Sequence, residues 1–487
     1  MDEGCRAPFS RYVLLVGAVV FAVLMALSGR YGFQRDELYM LQCGQHLQAS
    51  YVDQPVLAPL LARASFAMFG LSTTALRWWA ALAAWVTVVV GGLTAREFGG
   101  GRRTQLLTAI GVGTMPVLLG SDHVANTSAL MLLGEASLGL VVARLGRTGD
   151  TRWWLAAGAV AGVGAEDNHL VGVLAIALVA GALISGVRPD RWLAGGAAIA
   201  VVLLIPDIWW QATHGWATLA MTHALNSRNG GVAGIVTWIP GQLGMTALGL
   251  AWVWVIGLRF LWRSGHPAWR AVVWAYGLLF VVFMLTTGKQ FYYLGGVYVT
   301  LLAGGMVSVD GWLRENPVRL RRTLGATAIT ALVGAMVTLP VLPPKIGGKL
   351  NSDNAESIGW PQLVSTVRAA WLSLPAGTRA NAVIFTANYS EAAAINELGH
   401  GLPTAVSGHN TYWWWGPGNP RATTMLMVAQ GGVSAAQVSP YCSSVRTMAT
   451  LTNPYGIKNI EDGGHVYLCS GLHEPLGQLW PRLRHYN

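Results

Sequence analysis

Several short polar segments interrupt an otherwise apolar sequence, and the first carries the acids best suited to chemistry. It extends over about residues 30–75 and contains Arg35-Asp36-Glu37 and Asp53-Gln54. An acid at the bilayer centre costs roughly 2.5–3.5 kcal/mol on insertion scales, so we expect these carboxylates at an interface or in a wet cavity. A carboxylate beside a cavity can remove a proton from a hydroxyl group. The alternative is a solvated loop, but the aromatic residues around both acidic stretches favour packing onto the apolar part.

Two further segments combine acids with histidine between apolar runs. Gly120-Ser121-Asp122-His123 precedes Asn126, and Asp122 with His123 is expected either to line a cavity or to cap the next helix. Glu166-Asp167-Asn168-His169 occupies a second turn, where His169 is a weaker candidate for a ligand contact. One short loop does not define a metal geometry, so the identity of any metal stays open at both places.

A cation and two phenols form the fourth candidate site, in Gly288-Lys289-Gln290-Phe291-Tyr292-Tyr293. Lys289 is the first Lys of the chain, since every earlier basic residue is Arg. An ammonium group followed by tyrosines suits a lipid phosphate, with charge from Lys and hydrogen bonds from the phenols. The alternative is an interfacial Lys that extends to the lipid head groups beside an aromatic belt.

Common soluble enzyme motifs are missing from the sequence. It has no Walker loop, GxSxG elbow, HExxH or CxxC pair, which excludes the usual nucleotide, hydrolase and zinc interpretations. Four scattered Cys give no metal-ligand spacing. Cys442 and Cys469 form a disulfide if their domain lies in an oxidising compartment, which the sequence alone leaves open.

These segments must be positioned by membrane helices, because the composition excludes an ordinary soluble protein. The 487 residues are 53% hydrophobic and only 11% charged, where soluble domains contain about 25% charged residues. The net charge of +10 does not indicate nucleic acid, because the Arg residues lie in clusters between apolar runs.

Apolar runs of about 17–25 residues predict about eleven membrane spans. We place them near 11–29, 76–95, 104–120, 126–143, 153–166, 168–185, 193–210, 235–258, 271–288, 292–309 and 323–342. The first run resembles a signal peptide, but an uncleaved helix keeps the loop alternation regular.

Alternate loops are rich in Arg, and the others hold most acids and His. The positive-inside rule places the Arg-rich set and the N-terminus in the cytoplasm, and the acidic loops and the C-terminal part outside. The Arg-rich set comprises Arg6/Arg11, Arg96/Arg102/Arg103, Arg144/Arg147/Arg152, Arg188/Arg191, Arg259/Arg263/Arg270 and Arg314/Arg319/Arg321/Arg322.

The composition changes after Pro340-Val-Leu-Pro-Pro344. We therefore divide the chain into a transmembrane domain (1–344) and an external α/β domain (345–487). Strands are predicted at Val383–Thr386, Met425–Val428 and Val466–Cys469, and helices at Ser390–Leu398 and Pro475–Tyr486. The aromatic segment 407–418 is expected to dock on the membrane domain or to face a substrate.

The sequence resembles membrane-embedded glycosyltransferases related to protein O-mannosyltransferases and to lipid A aminoarabinose transferases, the GT-C type. The segments that carry this resemblance are RDELYMLQCGQHLQASYVDQPVLAPLLA (35–62), GSDH (120–123), GKQFYYLGGVY (288–298), FTANYSEAAAINELG (385–399), SGHNTYWWWGPG (407–418) and NPYGIKNIEDGGHVYLCSG (453–471).

The resemblance implies an α-helical membrane bundle with an extracytoplasmic α/β domain and an active site roofed by the first external loop. By similarity Asp36 is the general base, Glu37 helps to hold the acceptor, and Asp53, Gln54, Asp122, His123 and His169 line the cavity. Lys289, Tyr292 and Tyr293, with Arg35, would hold the donor phosphate. Many aminoarabinose transferases carry Lys where this chain has Gln54, so a clamp of two Lys is in doubt here.

The implied function is inverting transfer of a sugar from a polyprenyl-phosphate donor to an envelope glycan, lipid or protein. The expected location is a bacterial inner membrane, with the bilayer and the lipid-linked sugar as partners and no nucleic acid. A divalent metal, Mg or Mn, is an optional cofactor in the wider fold. The alternatives are a transporter or flippase of a lipid-linked saccharide, and a non-catalytic envelope assembly protein. Acids in external loops rather than at the midplane favour the enzyme.

Overall fold

The computed structural model describes residues 7–229, 232–246, 248–287 and 290–486. Helices dominate up to Thr338, and most are apolar along their length. In chain order they are α1 (Tyr12–Leu27), α2 (Arg35–Gln45), α3 (Leu57–Phe69), α4 (Thr73–Glu97), α5 (Arg102–Gly113), α6 (Pro116–Asp122), α7 (Thr127–Thr148), α8 (Trp153–Ala165), α9 (His169–Ile184), α10 (Arg191–Thr213), α11 (Ala217–Asn229), α12 (Val232–Met245), α13 (Ala251–Arg263), α14 (Pro267–Thr286), α15 (Gly295–Arg314) and α16 (Pro317–Thr338).

Small residues bring the bundle helices into close contact. Gly158 of α8 faces Gly196 of α10, and a Cβ atom on either residue would overlap the backbone of the other helix. Gly257 of α13 and Gly305 of α15 meet in the same way. Such contacts let backbones approach closely in lipid, where helix association depends on packing rather than on burial from water.

Five helices among the described residues are long and apolar enough to cross a membrane: α4, α7, α10, α14 and α15. The consecutive α5 and α6 make a sixth span if the pair, bent by 58°, is counted as one. The prediction of eleven is therefore not confirmed by length and composition. The predicted span 235–258 is divided between α12 and α13, and α1, α8 and α9 are shorter apolar helices.

The loops alternate between the two ends of the bundle. At one end the Arg clusters meet a few acids: Arg147 Nε lies 2.5 Å from Glu97 Oε2, and Arg103 Nε lies 3.7 Å from Asp310 Oδ1. The acidic loops and the C-terminal part of the chain lie at the opposite end. This arrangement agrees with the alternation in the sequence, while the compartment that each end faces stays a prediction.

The C-terminal part contains a five-stranded sheet in the order β2-β1-β3-β5-β4. β1 pairs in parallel with β2 and β3, whereas β5 is antiparallel to β3 and β4. The strands are β1 (Ala382–Thr386), β2 (Val406–Ser407), β3 (Thr424–Ala429), β4 (Cys442–Thr450) and β5 (His465–Leu472). The helices of this part are α17 (Pro344–Leu350), α18 (Ser352–Ala355), α19 (Trp360–Leu372), α20 (Ala376–Ala380), α21 (Tyr389–Leu398), α22 (Thr411–Trp415), α23 (Ala435–Val438) and α24 (Leu476–Leu479).

The predicted strands at 383–386, 425–428 and 466–469 and the helix at 390–398 are confirmed to within a few residues. The predicted helix at 475–486 is wrong in length, since α24 has four residues and a short 3-10 turn follows it. Strand β4 was not predicted. A disulfide joins Cys442 at its start to Cys469 of β5, with a Cα–Cα distance of 5.7 Å.

The polar segment at about residues 30–75 contains two helices, α2 and α3. Leu38, Tyr39 and Cys43 of α2, with Tyr51, are buried in the same hydrophobic core as α19, α21 and the sheet. Gln42 Nε2 and Gln45 Nε2 each donate to Glu397 Oε1 of α21 at 2.7 Å. Helix α2 is therefore packed as part of the C-terminal domain although it lies near the start of the chain.

Candidate active site

Asp36 lies in the first turn of α2 with its carboxylate partly open to solvent. The hydroxyl of Tyr389, the first residue of α21, donates to Asp36 Oδ1 at 2.8 Å. Arg35 Nε lies 3.7 Å from the same oxygen, and the exposed fraction of the Asp36 side chain is 34%. The candidate base is therefore oriented by a side chain from the C-terminal domain and stays accessible to a substrate.

The neighbouring acid, Glu37, has a structural role, and its predicted contact with an acceptor is wrong. It is fully buried, and Arg77 of α4 donates to both of its carboxylate oxygens, at 2.7 and 2.8 Å. The backbone N–H groups of Gln34 and Ala125 donate to the same carboxylate, each at 2.8 Å. Glu37 thus completes a capping box at the start of α2 and fixes that helix to the bundle.

A cavity of about 700 Å³ opens between the bundle and α2, and we call it the bundle cavity. Asp36, Asp53, Gln54, His169, Tyr292 and Tyr293 line it, as predicted for these six residues. Much of the remaining wall is apolar, including Met40, Leu170, Val173, Trp216, Leu219, Met221, Leu225 and Phe283. The cavity therefore combines a polar end near Asp36 with a wall that suits a hydrocarbon chain.

Two helix N-termini point into the polar end of the bundle cavity. Asn126 caps α7 and Asn168 caps α9, and both residues line the wall, as do Thr127 and Ser128 in the first turn of α7. Free backbone N–H groups and the helix dipole make such ends favourable for anions. Together with the phenols of Tyr292 and Tyr293, these helix ends give the polar end of the cavity a character that favours an anion such as a phosphate.

Of the predicted phosphate ligands, Lys289 lies outside the described residues. The next described residue along the chain, Gln290, lines the bundle cavity beside Tyr292 and Tyr293. Arg35 is not in this cavity, so its predicted contact with the donor phosphate is wrong. Its guanidinium lies 3.5 Å from Glu356 Oε1 and 5.0 Å from the centre of the Tyr389 ring, on the other side of Asp36.

Asp53 connects the first loop to the C-terminal domain. Tyr39 Oη donates to its Oδ1 and Asn410 Nδ2 donates to its Oδ2, both at 3.0 Å. Burial raises the pKa of Asp53 to about 6, although both hydrogen bonds act to lower it. Asp53 therefore keeps its proton to a higher pH than an ordinary Asp, and it lies with Asp36 on the wall of the bundle cavity.

Asp122 and His123 do not line the cavity, so that prediction is wrong. The bend between α5 and α6 turns them into the bundle, where both are buried. His123 Nδ1 lies 2.8 Å from the carbonyl oxygen of Gly120. The carboxylate oxygens of Asp122 have no hydrogen-bond partner among the described residues. His169, by contrast, reaches the cavity and places its Nε2 2.9 Å from Asp207 Oδ2.

A second cavity, of about 1010 Å³, lies on the other side of Asp36, against the C-terminal sheet. We call it the sheet cavity. It shares Asp36, Leu225, Gln290 and Tyr389 with the bundle cavity, so the two spaces meet at the candidate base. Sequence reasoning missed this cavity and the role of Tyr389. The segment around Tyr389 did stand out, but no local pattern shows that its phenol reaches residue 36.

A metal was left open by the sequence, and the described residues contain no group of three or more His, Cys, Asp or Glu side chains arranged to hold one.

Comparison with known proteins places this geometry in context. Residues 53–210 match the family model described as dolichyl-phosphate-mannose-protein mannosyltransferase. Comparison with curated proteins gives no match. Over almost its whole length the chain superposes on ArnT from Cupriavidus metallidurans, solved with undecaprenyl phosphate, with a TM-score of 0.65 and 15% identity, covering 94% of this chain and 97% of that one. The chain therefore has the GT-C fold seen in ArnT, and its residues 53–210 are similar to the protein mannosyltransferases.

Two larger GT-C proteins share the fold over part of their length. The arabinofuranosyltransferase AftD from Mycobacteria matches with a TM-score of 0.57 and 12% identity, covering 96% of this chain and 40% of AftD. The oligosaccharyltransferase AglB from Archaeoglobus fulgidus, solved with an inhibitory peptide and a dolichol-phosphate, matches with a TM-score of 0.52 and 11% identity, covering 81% and 64%. At these identities the likeness establishes the GT-C fold, and the substrates of this chain must be argued from its own residues.

Proposed function

We propose that the protein is an inverting glycosyltransferase that moves a sugar from a polyprenyl-phosphate donor to a hydroxyl group of an extracytoplasmic acceptor. The observation that carries this proposal is the position of Asp36, a partly exposed carboxylate on the wall shared by two cavities. A base between two binding spaces is the arrangement that a direct transfer between two substrates requires.

The donor enters the bundle cavity. Its prenyl chain packs against the apolar wall, and its phosphate faces the N-termini of α7 and α9 and the phenols of Tyr292 and Tyr293. These donors lie in a site shielded from water, where hydrogen bonds to a developing charge are strongest. The match to an ArnT structure that contains undecaprenyl phosphate supports this class of donor.

The reaction is a single displacement at the anomeric carbon. Asp36 takes the proton of the acceptor hydroxyl as the oxygen forms a bond to that carbon. The bond between the carbon and the phosphate oxygen breaks, and the lipid phosphate leaves with the electron pair. Attack from the face opposite the leaving group inverts the configuration. The leaving group is already a phosphate, so positioning and charge stabilisation supply most of the catalysis.

The test is Asp36→Asn in the full-length protein reconstituted with a radiolabelled polyprenyl-phosphate sugar. The amide cannot accept the proton, so we expect transfer to fall by about 10²–10⁴-fold while donor binding is retained. The matched control is Asp150→Asn, because Asp150 is an exposed acid at the Arg-rich end of the bundle. This variant should keep full activity. Undiminished transfer by a well-folded Asp36→Asn protein would exclude Asp36 as the base.

The proposal also needs Asp36 and the C-terminal domain on the outer side of a bacterial inner membrane, with the N-terminus in the cytoplasm. The Arg-rich loops at the opposite end of the bundle support this orientation through the positive-inside rule. An alkaline phosphatase fused after residue 487 should be active, and one fused after residue 150 inactive. The reverse pattern would leave Asp36 facing the cytoplasm and would contradict the proposal.

A further inference from the structure

The sheet cavity lies at one edge of the C-terminal sheet. Asn388 follows β1, His409 follows β2, and Gln430 follows β3, so the cavity wall is built from the carboxyl ends of the three parallel strands. The segment 458–463 precedes the antiparallel β5 and therefore reaches the same edge.

The strand order makes this edge a favourable place for a ligand. β1 lies between β2 and β3 in the sheet. The connection from β1 leads to β2 on one flank of β1, and the connection from β2 then leads to β3 on the opposite flank. In open α/β sheets, ligands bind outside the carboxyl ends of the strands at the point where the connections diverge in this way. The topology alone therefore indicates a binding crevice, independently of the cavity found there.

The chemistry of the wall differs from that of the bundle cavity. Side-chain amides from Asn388, Gln430 and Asn459 line it together with the charged groups of Lys458 and Asp462. Gly431, Gly432 and Gly463 leave this part of the wall without side chains, and the N–H groups of Gly431 and Gly463 already donate to the carbonyl oxygens of Ile460 and Leu451. Asn388 and Asn459 already hydrogen-bond within the protein, so Gln430, Lys458 and Asp462 are the polar groups left for a ligand. The wall offers little surface for a hydrocarbon chain.

We infer that the sheet cavity binds the acceptor and that this acceptor is a water-soluble glycan. This inference rests on the proposed function, because the glycan hydroxyl must reach Asp36, which lies on the shared wall. The amide of Gln430 and charges of both signs can hydrogen-bond to the hydroxyl groups of a sugar. A volume of about 1010 Å³ is at the upper end of the range for small-ligand pockets, about 300–1,000 Å³.

A polypeptide acceptor fits this wall less well. Extended peptides commonly bind by adding a strand to an exposed sheet edge. The edge strand nearest the cavity, β2, has only two residues, and the other edge strand, β4, contributes nothing to the lining. The loops of the cavity therefore provide no edge along which a peptide could pair.

Binding can be measured without catalysis. Full-length protein in nanodiscs is titrated with linear mannohexaose, with arabinohexaose, with a Ser/Thr-rich peptide and with an uncharged glycolipid, in the absence of donor. We expect at least one of the two oligosaccharides to bind. Gln430→Ala and Lys458→Ala should each weaken that binding about two- to tenfold, the range for loss of one net hydrogen bond. Gln478→Ala is the matched control, because it lies beyond the far end of β5 and should leave binding unchanged.

Transfer assays with radiolabelled donor then separate this inference from the proposed function. A raised KM for the oligosaccharide in the Gln430 and Lys458 variants, with unchanged donor affinity, supports both. Donor turnover that requires Asp36 but uses only the peptide or the glycolipid overturns the glycan assignment and leaves the proposed function standing. Oligosaccharide binding that depends on Gln430, without donor turnover under any condition, supports the cavity as a glycan site and overturns the proposed transfer. Binding that neither variant changes overturns the assignment of the sheet cavity.

Discussion

Replacing Tyr389 by Phe removes one hydrogen bond to Asp36 and little else. The lost contact is the 2.8 Å bond from the phenol to Asp36 Oδ1. The ring would keep its stacking on Tyr39, with ring centres 4.4 Å apart, and its position under the Arg35 guanidinium. Any effect on transfer therefore reports how far the phenol orients the base.

The size of the effect follows from the nature of this bond. A hydrogen bond to a charged group contributes about 1.5–3 kcal/mol. Since 34% of the Asp36 side chain is exposed, water replaces part of the lost contact, and we take about 1–2 kcal/mol as the remaining loss. At 1.36 kcal/mol for each factor of ten, kcat should fall about 5- to 30-fold. Donor affinity should change little, because Tyr389 contacts the base rather than the phosphate donors.

The assay is transfer of radiolabelled sugar from the polyprenyl-phosphate donor at saturating concentrations of both substrates, with thermal unfolding measured on the same preparations. Tyr467→Phe is the matched control, because it removes the phenol that donates to the carbonyl oxygen of Val433 at 3.1 Å, a contact that does not involve Asp36. The control should lose some stability and keep its kcat. An unchanged kcat for folded Tyr389→Phe, or a loss confined to KM for the donor, would refute the orienting role.

Three other perturbations test the remaining assignments. Glu37→Gln leaves Arg77 buried with a weakened partner, so the unfolding free energy should fall by about 3–5 kcal/mol. A variant with a normal thermal midpoint and a selective loss of kcat would instead indicate that Glu37 takes part in catalysis. Burial raises the pKa of Asp53 to about 6. Between about pH 4 and 6, Asp53 therefore binds more protons in the folded protein than in the unfolded chain. Its contribution to stability consequently falls as the pH rises through that window. Asp53→Asn should consequently gain thermal stability relative to the wild type as the pH rises from 4 to 7, and a constant difference across that range would contradict the raised pKa. Replacing both Cys442 and Cys469 by Ser should reduce the unfolding free energy of the C-terminal domain by about 2–4 kcal/mol. The wild-type protein treated with a reductant should lose the same amount of unfolding free energy. If neither the double variant nor the reduced wild type is less stable than the untreated wild type, the disulfide is contradicted.

The helical part could be predicted because apolar run length is a local property of the chain. The predicted span 76–95 lies within α4, and the predicted span 126–143 begins one residue before α7. The predictions failed where a helix ends or bends inside a stretch of sequence that stays apolar. In the run 235–258, α12 ends at Met245 and α13 begins at Ala251. The run 104–120 bends before Pro116, the first residue of α6. Pro at the first helical position is itself a signal for a new helix.

The separate roles of Asp36 and Glu37 were only partly signalled by the sequence, because Gln is not among the residues preferred at a helix N-cap. Gln34 and Glu37 have the spacing of a capping box, which assigns Glu37 to the start of a helix and leaves Asp36 free. Successive residues of a helix point about 100° apart, so two adjacent acids seldom share one site. Reading the pair as one catalytic unit ignored that geometry.

Other parts of the site could not be found by any local pattern. Asn410 and Tyr389 lie more than 330 residues after Asp53 and Asp36, and their contacts exist only once the C-terminal domain docks on α2. The sheet cavity likewise depends on the order of the strands, which the sequence does not state. The misplacement of Arg35 has the same origin, since its partner Glu356 belongs to the distant part of the chain.

The shared core of α2 and the C-terminal domain bears on how the two substrates meet. Glu37 and Arg77 hold the start of α2 to the bundle, while Gln42 and Gln45 hold its other end to Glu397 of α21. Asp36 is thus positioned by both parts at once. A chain truncated before the sheet would expose the buried face of α2 and lose Tyr389, the residue that orients the base and divides the two cavities. In the proposed mechanism the C-terminal domain is therefore a component of the active site and not an appended binding module.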